Sequence, residues 1–318
     1  MSETMRTVRF QEYGEPGSVL RMETVAVPDP GPGRIRVVME AVGLAPADWA
    51  LCRGLFAGAL PGGIGCDVAG TVNAVGEGVA DVAVGDRVFG TADWANMETA
   101  GASDRAVMNR WFPIPEGLDF VHAAALPMTV DTAFAHLRWL GLTAGNTLLV
   151  HGAGSTIGFA AVQIALHHGM RVIATAGDTY AQQLRGFGAE VTSYGDGMVQ
   201  RVANLAGGPV DVVIDTAPVG GSLPDLIVIA GGDPRKVMTI SDFAAAAELG
   251  ARSSASEDLT DRVEALPEHA QLAADGAFVT PIAATFPLDQ WETALQISLS
   301  GSARGKLVLV PRSDATDT

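Results

Sequence analysis

The chain has 318 residues, 48% of them apolar and 18% charged, with a formal net charge of −16. That length exceeds one ordinary domain and accommodates two, each burying its own core. The charge repels phosphate backbones and acidic lipid surfaces, which excludes nucleic acid and membrane as expected partners and leaves a small-molecule substrate.

A local nest of backbone N–H groups can override such a global field for a small anionic ligand. The two cysteines, Cys52 and Cys66, make neither a disulfide framework nor a C-x-x-C metal knuckle. The opening MSETMRTVRFQEYGEPG lacks the apolar core of a signal peptide, and no apolar run reaches transmembrane length. A cytoplasmic location is the expectation.

The first third reads as strand-rich. Thr7–Tyr13 forms a short strand ended by Gly14-Glu15-Pro16-Gly17, and Pro28 to Gly33 is a rigid loop. Arg34–Leu44 alternates Ile35, Val37, Met39 and Ala41 against Arg36, Val38 and Glu40, as a half-buried strand does. Pro46 starts a short helix through Arg53. Asp67–Val75, Arg87–Ala92 and Arg105–Asn109 are further strands separated by glycine turns.

From about His122 helices and strands alternate, which predicts a parallel sheet covered on both faces. One helix is expected over Ala123–Leu140, and a strand over Thr147–His151. The next helix, Gly158–His168, places Ile157, Ala160, Ala161, Ile164 and Ala165 on one buried face. Strands follow at Arg171–Ala176, Glu190–Ser193, Val210–Thr216 and Lys236–Ile240, with helices at Ala181–Phe187, Met198–Ala206 and Leu223–Ala230. Strands at Phe278–Phe286 and Lys306–Val310 then flank a helix, Leu288–Ser300. Glu248–Asp261 reads as a solvated surface, and Met1–Thr4 and Arg312–Thr318 as loose ends.

The chemistry concentrates in Gly152-Ala153-Gly154-Ser155-Thr156-Ile157-Gly158, between an apolar strand and an amphipathic helix. A dinucleotide site needs a sharp turn out of a strand, a backbone that approaches a pyrophosphate, and close packing of helix on sheet. The three glycines serve these needs, and the N–H groups of the helix start face an anion. Counted from Gly152 the spacing is one residue longer than strict G-x-G-x-x-G; the surrounding strand and helix carry the assignment. Ser155 and Thr156 either donate to phosphate oxygens or cap the helix.

NAD or NADP is decided where the second strand ends, at Ala176, Gly177 and Asp178. With Ala176 at the acid position a 2′-phosphate is admitted; with Asp178 curled back, NAD is favoured. No lysine or arginine lies between Ala176 and Gln183. Thr216 and Ala217, and Ile240 and Ser241, end later strands and belong to the same cofactor edge. Asp215 reads as structural, and His151, ending the strand below the turn, as a satisfied polar residue. The six histidines show no metal spacing.

With these residues placed, the chain resembles the medium-chain dehydrogenase/reductases, in their zinc-free quinone-oxidoreductase branch. VRFQEYGEPGSVL, AVGLAPADW, GCDVAGTVNAVGEGV, VGDRVFG, AAALPMTVDTAFAHL, LLVHGAGSTIG, VDVVIDTA and RGKLVLV carry the likeness from Val8 to Val310. The resemblance implies an α/β fold: a strand-rich GroES-like catalytic domain from residues 1–121 and 270–318, and a Rossmann doubly wound parallel sheet from 122–269. It implies NADP(H) in preference to NAD(H), hydride transfer to a quinone or an α,β-unsaturated carbonyl, and a homodimer.

In zinc-dependent relatives a cysteine stands at Ala45 and Gly-His-Glu at Gly65-Cys66-Asp67, so zinc is not expected. The asparagine that quinone reductases place at Ala45 is absent. Family position makes Asp48 and Trp49 the candidate catalytic side chains, although a helix cap and a core residue are the competing readings. Thr129 lies where the family's helix start faces the nicotinamide, and Tyr194 matches a tyrosine placed near the 2′-phosphate. Three functions are compatible with these residues: the quinone/enone reductase, a pathway-specific trans-acting enoyl reductase, and a dinucleotide-binding sensor without turnover.

Overall fold

The structure, a computed structural model, describes residues 3–55, 58, 60–141, 143–254 and 264–311. The expected loose end 312–318 and residues 255–261 of the charged stretch lie outside the described residues, whereas Thr4 opens the first strand. The chain divides into two compact units, Met1–Met128 with Leu266–Thr318, and Thr129–Ala265.

The first unit begins with β1 (Thr4–Phe10), α1 (Pro16–Val19), β2 (Leu20–Ala26), β3 (Ile35–Leu44), α2 (Pro46–Cys52), β4 (Gly62–Gly63), β5 (Asp67–Val75), β6 (Arg87–Ala92), β7 (Arg105–Pro113) and α3 (Phe120–Ala124). β2, β1 and β4 form a small antiparallel sheet. In the larger sheet β5 pairs with β3 and β6, β6 pairs with β7, and β7 returns to β3, closing the sheet on itself. The alternation read along β3 holds as expected, with Ile35, Val37, Met39 and Ala41 buried and Arg36, Val38 and Glu40 half-buried; from Ala41 to Leu44 every residue is buried, as α3 packs on β3 and β5.

The second unit holds most of α4 (Pro127–Trp139), then β8 (Thr147–His151), α5 (Thr156–His167), β9 (Arg171–Thr175), α6 (Asp178–Phe187), β10 (Glu190–Thr192), α7 (Met198–Ala206), β11 (Val212–Asp215), α8 (Leu223–Ile229), β12 (Val237–Thr239), α9 (Phe243–Leu249) and β13 (Arg252–Ser253). Its strands lie in the order β10-β9-β8-β11-β12-β13, every pair parallel. The order reverses between β8 and β11, so the loops leaving those two strands diverge at their carboxyl ends, where ligands of such sheets bind.

The last segment, α10 (Leu266–Ala274), β14 (Ile282–Pro287), α11 (Trp291–Leu299) and β15 (Lys306–Val310), returns to the first unit. β15 joins β3 antiparallel, with Leu309 opposite Val42, and pairs β14 in parallel on its other side.

Three expectations are corrected. The single helix over Ala123–Leu140 is two, α3 and α4, because Pro127 has no N–H to continue the first and suits the opening turn of the second. The helix after the glycine turn is not one-faced: Gly158 to Ala165 are all buried while Ile157 is only half-buried. Tyr180 and Phe187 of α6 meet Phe159 edge-on at 5.3 and 5.4 Å, and β8 and β9 cover another side. The units meet at 128/129 and 265/266 rather than at 121/122 and 269/270, since α3 packs on the strands of the first unit and α10 lies against β7. Among the described residues no helix is long and apolar enough to cross a membrane.

Candidate cofactor site

At the carboxyl end of β8 the three glycines have distinct physical roles. Gly152 has φ +77°, and a Cβ there would lie 2.5 Å from the Ala217 nitrogen. At Gly158 a Cβ would lie 2.4 Å from Thr216 Oγ1 and 2.6 Å from the Gly152 carbonyl oxygen. These two are glycine because protein atoms fill the space. Gly154 differs: a Cβ there would meet only Tyr180 Cδ2, at 3.9 Å, so the space above its backbone is open. This is the cradle a pyrophosphate requires.

Ser155 is the N-cap of α5, its Oγ accepting the Gly158 N–H at 3.0 Å. The capping role is thus filled, and the hydroxyl proton is left to donate to a phosphate oxygen. Thr156 and Ile157 open the helix half-buried, while Ala153 is fully buried.

Around the end of β9, Ala176 is buried and Gly177 is the N-cap of α6 without a side-chain cap. Tyr194 is 60% exposed, and its hydroxyl lies 3.7 Å from where a Gly177 Cβ would be. Asp178 sits in the first turn of α6 and is exposed. Arg201 of α7 donates to the carbonyls of Asp196 at 2.6 Å, Ser193 at 3.0 Å and Tyr194 at 3.3 Å. A guanidinium therefore holds the loop that presents Tyr194. Ser241 Oγ donates to the Ala217 carbonyl at 2.6 Å, tying the ends of β11 and β12 together; Ile240 beside it is half-buried. Thr129, at the start of this unit, is 1% exposed.

The first unit contains a buried charged cluster. Asp48, 0% exposed, accepts N–H groups from Ala45 at 2.8 Å, Gly65 at 2.7 Å and Cys66 at 3.2 Å. Burial raises its carboxyl above the usual range, opposed by these bonds and by Lys306. Asp67 accepts the Met128 N–H at 3.0 Å and the Lys306 ammonium at 2.7 Å. Burial pushes Asp67 up to about 6, against the pull of Lys306. Burial also pushes the Cys52 thiol to about 12 and Cys66 well above its ordinary value.

Comparison with known proteins places this architecture. The Alcohol dehydrogenase GroES-like domain family matches residues 31–112, and the Zinc-binding dehydrogenase family matches 187–309. The quinone oxidoreductase of Coxiella burnetii superposes with a TM-score of 0.80 at 25% identity, covering 98% of this chain and all of that one. The chain belongs to the medium-chain dehydrogenase/reductase superfamily.

Rat quinone oxidoreductase is 36% identical over 185 residues, a match covering 57% of this chain and 55% of that protein, so the chain spans about half the length of that relative. A mycobacterial protein complexed with NADPH superposes with a TM-score of 0.79 at 26% identity, over 96% of this chain and all of that one. The polyketide synthase system protein NorB of Streptomyces orinoci is 38% identical over 190 residues, 58% of this chain and 8% of that protein.

Members of this superfamily that use zinc need open thiolates, imidazoles or carboxylates. Here Ala45 has no donor atom, Asp48 is taken up by three amides, and Asp67 by an amide and an ammonium. This donor set does not fit a zinc ion, and among the described residues no group of three or more His, Cys, Asp or Glu is placed to hold a metal.

The two candidate catalytic side chains take structural positions. Asp48 caps α2 and staples it to the Gly65-Cys66 backbone. Trp49 is 2% exposed, and its indole N–H donates to Ser298 Oγ of α11 at 2.7 Å, which places it in the core. Two residues were missed from sequence. Lys306 had a signal, a lone lysine in the apolar run of β15. Arg201 had none, because only the approach of α7 to the loop after β10 brings it beside Tyr194.

Proposed function

We propose that the chain is an NADPH-dependent, zinc-free oxidoreductase that reduces quinones or α,β-unsaturated carbonyl compounds. The open space over Gly154, flanked by two glycines that packing demands, is the observation that carries the dinucleotide reading. When bound, the nicotinamide supplies the hydride. The chain's part is to bind and orient. The amides opening α5 and the Ser155 hydroxyl face the pyrophosphate, and the backbone of Gly154 makes its close approach possible.

At the ribose end, Ala176 and Gly177 offer no acid, Tyr194 offers a hydroxyl, and Arg201 lends a positive charge to the same loop. This favours a 2′-phosphate; Asp178 is the one nearby group that favours NADH. Reducing a quinone or enone asks for geometry and exclusion of water more than for a strong acid, and solvent supplies the proton. We also propose a cytoplasmic homodimer joined along β13, the edge strand of the second unit's sheet.

The partial match to NorB supports a second reading, an enoyl reductase serving one biosynthetic pathway. Following NADPH and NADH absorbance with a panel of small quinones, enones and thioester-linked enoyl chains separates the readings. Turnover of several quinones supports the first, and turnover confined to enoyl thioesters the second. Saturable binding with no oxidation of either cofactor contradicts both and leaves a sensor.

A further inference from the structure

The carboxyl ends of four neighbouring strands carry a row of buried polar side chains that the proposed chemistry does not use. Thr175 ends β9, His151 ends β8, Asp215 ends β11 and Thr239 ends β12; all four are at most 4% exposed. The sheet register sets Asp215 opposite both His151 and Thr239. His151 Nδ1 meets Thr175 Oγ1 at 2.8 Å, and Thr239 Oγ1 donates to Asp215 Oδ2 at 2.9 Å. Polar groups this deep in a parallel sheet carry a desolvation cost unless they are bonded, and these are.

What they bond to is the backbone of the loops. Thr175 Oγ1 accepts the Gly152 N–H at 3.1 Å, while the single proton of Thr216 Oγ1 is shared between the carbonyls of His151 at 2.8 Å and Gly152 at 3.0 Å. The first glycine of the turn is thus gripped at both its N–H and its carbonyl by hydroxyls from the strands on either side. Asp215 Oδ1 accepts the Ala217 N–H at 3.1 Å, and Thr239 Oγ1 accepts the Ser241 and Asp242 N–H groups at 3.3 and 3.2 Å. Each of the three loops leaving β8, β11 and β12 is therefore fixed at its first residues by one member of the row.

We infer that Thr175, His151, Asp215, Thr216 and Thr239 are positioning residues that hold the three cofactor-facing loops in register, so that dinucleotide affinity depends on buried side chains acting through the backbone of those loops. The inference rests on the dinucleotide reading above. Burial lowers the His151 imidazole's affinity for a proton, opposed by the nearby Asp215 carboxylate, and raises Asp215, which also feels Asp242 at the start of α9. A neutral imidazole accepts the Thr175 hydroxyl proton at Nδ1 while Thr175 accepts the Gly152 N–H, giving one directional chain. A network of this kind acts through geometry, and small displacements of the turn are costly where a pyrophosphate must approach the backbone.

The test compares the wild type with Thr175→Val, Thr175→Ser and Thr239→Val by two readouts. NADPH affinity is measured by fluorescence titration, and backbone hydrogen exchange of the cofactor-free protein is followed in peptides spanning Gly152, Ala217 and Ser241. Thr175→Val keeps the shape and removes the hydroxyl; it raises the NADPH Kd about tenfold and speeds exchange at the glycine turn, and Thr175→Ser restores both. Thr239→Val speeds exchange after β11 and β12. Thr175→Val that binds NADPH as the wild type does, with unchanged exchange, overturns the inference. So does Thr175→Ser behaving as badly as Thr175→Val, since bulk rather than the hydroxyl would then be responsible. Should Thr175→Val fail to fold, the serine and Thr239→Val variants decide by the same two readouts. A wild type that binds neither NADPH nor NADH overturns the dinucleotide reading and the inference together, whereas equal binding by wild type and Thr175→Val removes the inference alone.

Discussion

Glycine is used twice in this turn for packing and once for access, and the substitutions that follow separate the two. Gly158→Ala drives a methyl into Thr216 Oγ1 and the Gly152 carbonyl, both of them fixed atoms. The expected result is a loss of about 1–3 kcal/mol in stability, as overpacking costs, read as a lower Tm, together with weaker NADPH binding. At Gly154→Val the added Cβ meets no such obstacle, since the nearest atom to it would be a Tyr180 ring carbon at 3.9 Å. That variant is expected to melt close to the wild type and to lose the dinucleotide. At Trp49, replacement by Phe removes the bond to Ser298 and keeps most of the ring's packing; about 1 kcal/mol of stability is lost, with little change in turnover if Trp49 acts only in the core. A large fall in kcat for Trp49→Phe would restore it as a candidate catalytic side chain.

At the scale of elements, β15 is bound to β3 by its ladder and to Asp67 of β5 by one buried ion pair. Gly43 makes room for it, because a Cβ there would lie 2.8 Å from Lys306 Cε. Removing one partner of a buried pair leaves an uncompensated charge, so Lys306→Met is expected to cost about 3–5 kcal/mol. The pH dependence has a definite sign. Asp67 sits at about 6 against an ordinary 3.8, so the folded protein holds a proton more tightly than the unfolded chain, and stability falls as pH rises from near 3.8 through 6. Without the opposing ammonium the carboxyl rises further, and the window of loss extends upward. The Tm deficit of Lys306→Met should therefore be greater at pH 8 than at pH 5; an equal deficit at both would show that Asp67 is not the group left exposed.

The elements that could be read from sequence were those with a strong local signature. β5, β6, β8, α7 and β15 have their expected bounds because apolar alternation or an apolar run stops at glycine or polar residues. β2, α9 and α10 were not anticipated. β2, Leu20–Ala26, carries charged Arg21 and Glu23 and is ordered by pairing with β1, a contact no local pattern reports. Much of α9 is alanine, which has high helix propensity but no apolar face to find. The glycine turn was legible for the same local reasons. The row of Thr175, His151, Asp215 and Thr239 was not, because its members are spread over 89 positions of sequence and meet only through strand order.

For the molecule as a whole, the two ends of the chain build one unit and the middle builds the other. The parallel sheet reverses its order between β8 and β11, and the open glycine and the anchored loops lie at the carboxyl ends of its strands, where ligands of such sheets bind. The proposed homodimer along β13 is checked by sedimentation, with twice the chain mass expected and monomer at micromolar concentration contradicting it. The measurement that bears most directly on the central claim is NADPH titration of the wild type and Gly154→Val side by side, with melting curves for both. Saturable binding by the wild type, and none by a Gly154→Val protein of near-native Tm, is the predicted result. Equal binding by the two, or binding by neither, would contradict a dinucleotide seated on this turn.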